Sequence, residues 1–417
     1  MFQLGERELN KRNLGHWLIL LVIICGIGGA VYGMHRLDAN DKQEVTATNR
    51  KHAKQSRQAI KTDAAQSKAQ RAGKVTTFDK KHSGKKTPLF TAQVNRTLKA
   101  KRFVGTALIV KNDKVVYQKA FGYSNAAKKR KNKVTTQYLI NSIQKSLTGQ
   151  LVMRAAQAGQ LQLSDRLSQY YPKIKNADKI TIRQMLDMMG GVTGDVAPAT
   201  TLTEKQVYQY AQKNAKINPK KINHFDYQPI SYVLLAGILN QVTHESYYKL
   251  FYQQLVTPLD LNHTSFGQLW RSSPKRTISY GGDKPGLYQE AHTPAANDMA
   301  AQLATGNATM STGDLFRAER AIIQGKLLAT PAGAQVLHQA TTDLHYTGGM
   351  YHYDQTGYYG HGMGDYYEST FVMSKNGRTG VIFLSNSFEK KTMFPKWSTE
   401  QTAMDLFQEI NTAKKLK

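Results

Sequence analysis

The sequence predicts an α/β fold of the α+β kind: one antiparallel sheet of about five strands, drawn from both chain ends and flanked by helices. A mainly helical subdomain is inserted between the two sets of strands, and one transmembrane helix precedes the whole. Three observations lead there. A strand–turn–strand pattern opens the folded part at 103–110 and 115–122, with Lys111, Asn112, Asp113 and Lys114 as the turn. Helical spacing then dominates as far as residue 323. The last third turns to strands and closes on a helix at 397–413.

Taken in order, the chain begins with an apolar run. Residues 14–34 read LGHWLILLVIICGIGGAVYGM, with no Asp, Glu, Lys or Arg. About 20 such residues cross a bilayer core as a helix. The run is longer than the apolar part of a signal peptide, and Gly28-Gly29-Ala30 is a weak cleavage site. An uncleaved anchor with a cytoplasmic tail at 1–13 is therefore the better reading. Arg7, Lys11 and Arg12 precede the run while Arg36 and Lys42 follow it, so charge alone sets no orientation. The single cysteine, Cys25, lies inside the run. That excludes an intramolecular disulfide framework and a Cys-rich zinc site.

Residues 35–87 read as a basic flexible stalk. Residues 37–87 hold 13 Lys or Arg against 5 Asp or Glu, with few large apolar side chains to offset ordering entropy. Partial helix is expected near 53–72. The folded domain is expected at 88–417. A helix is predicted over 142–158, ending at Gly159, from the spacing of Ile143, Leu147, Leu151 and Met153. Thr181 reads as the N-cap of a helix over 182–189, and Thr203 with Gln206 matches a capping box. Further helices are expected at 229–242, 246–255 and 312–323. Strands are expected at 347–353, 358–361, 368–375 and 379–386, the last pair joined at Asn376-Gly377.

The composition narrows the function. Forty per cent of the 417 residues are hydrophobic, so a core can be buried. There are 57 basic and 29 acidic residues, a formal charge of +28. Nucleic acid is a poor explanation, because no nucleic-acid motif is present and the charge is spread along the chain. An anionic surface outside the cell suits it better: anionic wall polymer or lipid headgroups met by the stalk. The 12 histidines include no HExxH pair, and no Walker-type Gly-Lys-Ser/Thr loop occurs. No metal and no cofactor are expected.

A serine nucleophile needs a base, and a lysine three residues on along a helix can reach it. Five Ser-x-x-Lys pairs occur: Ser83/Lys86, Ser142/Lys145, Ser246/Lys249, Ser272/Lys275 and Ser387/Lys390. Ser246 is read as a helix cap, and capping is also the plain reading of Ser142. Ser142 differs in its setting, TQYLINSIQKSLTGQL. An apolar strand-like lead-in delivers it to a helix start, where free N–H groups favour developing negative charge.

This stretch resembles the serine β-lactamase and penicillin-binding-protein superfamily, in its class C-like, D-alanyl-D-alanine carboxypeptidase-like branch. Ser142, Lys145 and Thr148 match its first motif, followed by GQLQLSD at 159–165. ITIRQML at 180–186, PLDLNHT at 258–264 and NATMSTGD at 307–314 match further family elements. The resemblance spans about 95–412 and implies a β-lactamase/transpeptidase-like fold. It implies Ser142 as acyl-forming nucleophile, with Lys145 and Tyr227 of FDYQP sharing proton transfer. The family's asparagine falls on Pro229, which cannot donate the amide hydrogen bonds. The third motif falls on Gly360-His361-Gly362-Met363-Gly364, with Met363 in place of glycine. The resemblance implies substrate contact by His361, Gly362 and Gly364, and an oxyanion hole from the N–H groups of Ser142 and Gly364. The function so implied is a single-pass, membrane-anchored extracellular serine hydrolase acting on cell-wall D-alanyl peptides or D-alanyl esters. A second reading stays open, that of an inactive scaffold on the same fold that binds cell-wall polymer. Pro229 and Met363 motivate it.

Overall fold

The computed structural model describes residues 47–82, 87–198, 200–340, 346–389, 399–414 and 416. The expected tail at 1–13 and anchor at 14–34 lie outside them, as does the Ser83/Lys86 pair. Among the described residues no helix is long and apolar enough to cross a membrane.

The elements that matter here are, in chain order, α1 (Ala47–Gln70), α2 (Pro88–Ala100), β1 (Gly105–Lys111), β2 (Lys114–Phe121), α3 (Gln144–Gln157), α4 (Glu204–Asn214), α5 (Ile230–Thr243) and α6 (Thr312–Ile323). They continue with β3 (Tyr346–Thr347), β4 (Met350–Tyr353), β5 (Gly357–Gly364), β6 (Tyr367–Ser374), β7 (Gly380–Ser385) and α7 (Thr399–Thr412). One antiparallel sheet runs β3-β4-β5-β6-β7-β1-β2. The N-terminal hairpin docks on the C-terminal strands through β1 against β7, with Leu108 opposite Ile382. The sheet thus has seven strands rather than about five. One added strand comes from 347–353, expected as a single strand. Gly348 and Gly349 both take positive φ, and the chain reverses there between β3 and β4.

Alternation along each strand separates two cores. On one face Ala107, Ile109, Val372, Val381 and Phe383 pack with Phe90, Val94 and Leu98 of α2 and with Ala403, Leu406, Phe407 and Ile410 of α7. On the other, Leu108, Val110, Phe371, Met373, Ile382 and Leu384 join the large core of the helical insertion. Each such Val, Leu, Ile, Met or Phe side chain, fully buried, contributes roughly 1.5–3 kcal/mol of transfer free energy. Local signals agree with the termini. Ser311 caps α6 by accepting from Asp314 N at 3.2 Å, and Gln206 Oε1 accepts from Thr203 N at 2.9 Å at the start of α4.

The stalk segment departs from expectation. Residues 47–70 form α1, whose Ile60 is buried in the main core. Ser67 Oγ pairs with Thr257 Oγ1 at 2.7 Å, and Asp260 accepts from Gly73 N at 3.0 Å and Lys74 N at 2.8 Å. Phe78 lies 5.0 Å from the Phe316 ring of α6. Residues 47–82 therefore lie against the fold rather than hanging free, and the packed structure begins before residue 88. Composition missed this because the docking rests on a few long-range polar contacts and very few apolar side chains.

Candidate active site

The lead-in to Ser142 is a two-residue strand, Tyr138–Leu139, paired with Thr309 and Met310. Ile140 N extends the pairing to Ala308 O at 3.0 Å. Asn141 then takes the left-handed conformation, φ 47°, and turns the chain into a single 3-10 turn, Asn141–Ile143, ahead of α3. Its side-chain amide donates to Gly364 O and Tyr367 O, both at 3.4 Å, so the turn is tied to the end of β5. Inside α3, Gln144 is buried and bonds both Ala308 N and Asn307, fixing the helix start from beneath.

Lys145 sits one helical turn after Ser142, with Nζ 3.0 Å from Ser142 Oγ and 3.4 Å from Thr305 O. Only 1 % of it is exposed. No carboxylate pairs with it among the described residues. Burial disfavours the charged amine and lowers its pKa to about 7. Near neutral pH much of the lysine is the free base that a serine nucleophile requires. Tyr227 reaches the same spot from the residues before α5. Its ring faces Lys145 Nζ at 4.9 Å from the centroid, and its hydroxyl bonds Ser142. Burial raises the phenol further above its usual value, and the Ser142 bond opposes this only in part. Tyr227 therefore stays protonated, and the geometry sets a buried amine and a protonated phenol on the same serine hydroxyl. Pro229 is the N-cap of α5 and brings no amide to the site. The neighbouring Gln228 amide turns instead to Asp226 Oδ1 at 3.1 Å.

Residues 360–364 of β5 divide by strand alternation. Gly362 and Gly364 face the Ser142 turn. A Cβ on Gly362 would collide with Ile140 O and come within 2.9 Å of Ser142 N; one on Gly364 would lie 3.1 Å from Asn141 Oδ1. The glycine the site needs for close approach is thus Gly362, one place earlier than Met363. His361 faces the other way. Its Nε2 lies 3.0 Å from Glu368 Oε1 of β6, and its Nδ1 lies 3.8 Å from Glu400 Oε2 of α7. Burial alone would discharge the ring, but Glu400 and Glu368 together raise its pKa to about 9. The structure brings together Ser142, Lys145, Tyr227, Gly362 and Gly364, and leaves His361 on the opposite face of the sheet. The substrate contact expected of His361 is not available from there.

Several residues around the site escaped the sequence reading. The Gly348-Gly349 turn presses on the first turn of α3, where a Cβ on Gly349 would strike the Lys145 carbonyl and Ser146 N. Asp187 accepts from Gly348 N at 3.4 Å and from Arg183 Nε at 2.6 Å, linking the ITIRQML helix to that turn. The adjacent glycines were the available signal, since such pairs mark turns. Behind α3, Ser146 Oγ donates to Glu319 Oε1 at 2.7 Å, and burial lifts that carboxyl to about 8.

A sheet of this kind, with a buried lysine on a serine at the head of the first long helix, defines a class. The Beta-lactamase family model matches residues 90–402, and the chain belongs to that family. Among curated relatives, a protein of Bacillus subtilis (strain 168) named "Putative penicillin-binding protein PbpX" is 26% identical over 383 residues, 91% of this chain and 91% of that one. Protein flp of Staphylococcus aureus is 34% identical over 182 residues, which are 42% of this chain and 36% of that one. Among solved structures, FmtA from Staphylococcus aureus superposes with a TM-score of 0.67 at 24% identity, covering 81% of this chain and 90% of that one. The D-amino acid amidase from Ochrobactrum anthropi SV3 shares the fold at a TM-score of 0.61 and 14% identity, covering 78% of this chain and 97% of the other.

Proposed function

We propose that the protein is a serine acyl hydrolase working through an acyl-Ser142 intermediate. The observation that carries this is the 3.0 Å contact between Ser142 Oγ and a buried, carboxylate-free Lys145. Lys145 takes the serine proton as Ser142 Oγ attacks a carbonyl carbon. The N–H groups of Ser142 and Gly364 receive the oxyanion, and protonated Tyr227 delivers a proton to the leaving group and is reprotonated by Lys145, which returns to the free amine. Water, deprotonated in turn by Lys145, then releases the acid. The substrate class proposed is the cell-wall D-alanyl peptide or D-alanyl ester, in keeping with a penicillin-binding-protein name on one relative. Location is part of the same proposal: a single-pass anchor at 14–34 holds the domain at the outer face of the membrane. The segment after it would lie along anionic wall polymer or lipid headgroups. Within that segment α1 exposes Arg50, Lys51, Lys54, Arg57, Lys61 and Lys68.

The test is covalent. A fluorophosphonate or a fluorescent penicillin should label the full chain at Ser142, located by peptide mapping, and should leave Ser142→Ala unlabelled. If neither reagent labels the wild-type chain and no ester is cleaved, the proposal fails and the scaffold reading motivated by Pro229 takes its place.

A further inference from the structure

A groove lies at the far edge of the sheet, built by α2, the residues leading into β1, the end of β2 and the loop at 286–288. It shares no residue with the Ser142 site. Its volume of about 510 Å³ suits a small organic ligand. Three cations line it, Lys99, Arg102 and Lys119, and no acidic residue does.

The cations are placed by specific means. Arg102 ends the turn after α2 in the left-handed conformation, φ 55°, where glycine is the usual occupant. An L-residue is strained there. Its Nε donates to Pro285 O at 2.9 Å, and the remaining guanidinium N–H groups have no partner among the described residues. Lys119 on β2 is held by Asn95 Oδ1 at 2.8 Å, with Nζ 5.1 Å from the centroid of Phe121. Lys99 forms no ion pair among the described residues and is exposed. Phe121 and Tyr288 supply aromatic surface, both half-buried. Tyr288 is fixed by the bond from Tyr123 N to its hydroxyl at 2.9 Å.

We propose that this groove binds an organic phosphate, with the phosphoryl group on Lys99, Arg102 and Lys119 and a ring-shaped body against Phe121 and Tyr288. Three unneutralised cations around one cavity match a phosphate in charge, and a guanidinium with free N–H groups matches its oxygens in geometry. The half-exposed rings offer a flat apolar surface that an inorganic anion would not use. The site is independent of the acyl-transfer reading.

The probe is phenyl phosphate, titrated into the full chain by calorimetry, with inorganic phosphate and phenol as separate arms. Phenyl phosphate should bind saturably and more tightly than either fragment. Arg102→Gly and Lys99→Ala should each weaken it about tenfold, the worth of one charge-assisted contact. Glycine suits the backbone at 102, so Arg102→Gly should melt no lower than the wild type, which separates lost binding from lost folding. Phe121→Leu should weaken phenyl phosphate and leave inorganic phosphate unchanged. The proposal is overturned if phenyl phosphate shows no saturable binding up to about 10 mM. It is equally overturned if the Arg102→Gly and Lys99→Ala double variant binds as the wild type does.

Discussion

Lys145 and His361 are both buried basic side chains, one on each side of the same sheet, and they end in opposite states. Lys145 meets a hydroxyl, a carbonyl and an aromatic ring, so nothing offsets its lost hydration and its pKa falls to about 7. His361 is less deeply placed, with 11% of its side chain exposed, and Glu400 and Glu368 lie on its two ring nitrogens, so its pKa rises to about 9. Burial sets the direction only when no counter-charge is present. The first arrangement leaves an uncompensated amine against Ser142 Oγ. The second ties β5, β6 and α7 together behind the strand that carries Gly362.

That contrast can be broken from either side, and the effects should differ in size. Replacing Lys145 by Met should slow acylation of Ser142 by at least about 10³-fold, since the nucleophile loses its base. In the wild type the acylation rate should rise with pH through about 7, because only the neutral amine accepts the serine proton, and then level off. A rate flat from pH 5 to 9, measured with an uncharged ester, would contradict the role given to Lys145. Gly362→Ala should come next. The added methyl meets Ile140 O and the Ser142 N–H, and a misplaced nucleophile costs on the order of 10²-fold. Acylation kinetics beside a melting curve would show activity lost well before the fold.

His361→Leu should have the smallest effect on chemistry and a clear one on stability. It leaves the buried Glu368 and the part-buried Glu400 without their cation, at a cost of up to about 3 kcal/mol. Denaturant unfolding would measure the loss, while acylation per folded molecule should change less than tenfold. The pH signature follows from the sign of the shift. The folded value, about 9, lies above the unfolded value near 6.5. The stabilisation is therefore complete below pH 6.5 and is lost as pH rises through 9. His361→Leu should flatten stability across that window. A large loss of acylation with stability intact would instead return His361 to the substrate side.

The two sides also differ in how far the sequence revealed them. Ser142 and Lys145 are three residues apart at a helix start, so their proximity is a local property and was readable. Tyr227 came from its motif neighbours. The side taken by His361 is not legible there, because alternation shows that His361 and Gly362 face opposite ways without showing which way Ser142 lies. That depends on the packing of the 3-10 turn against β5, between residues more than 200 positions apart. Asp187 and the Gly348-Gly349 turn are hidden for the same reason, since the turn's contact with α3 and its bond to Asp187 are long-range.

By itself the sequence determined the local elements: the capped start of α4, the helix of α6, the β1–β2 and β6–β7 hairpins, and the serine–lysine pair. Periodicity, capping and turn chemistry act over a few residues, so they are written in the chain. Tertiary structure alone decided that Lys145 is stripped of water and counter-charge, that His361 is clamped behind the sheet, and that 47–82 docks on the fold. Each of those outcomes is set by what distant segments bring to one place, and burial and pairing are properties of that place rather than of the residue.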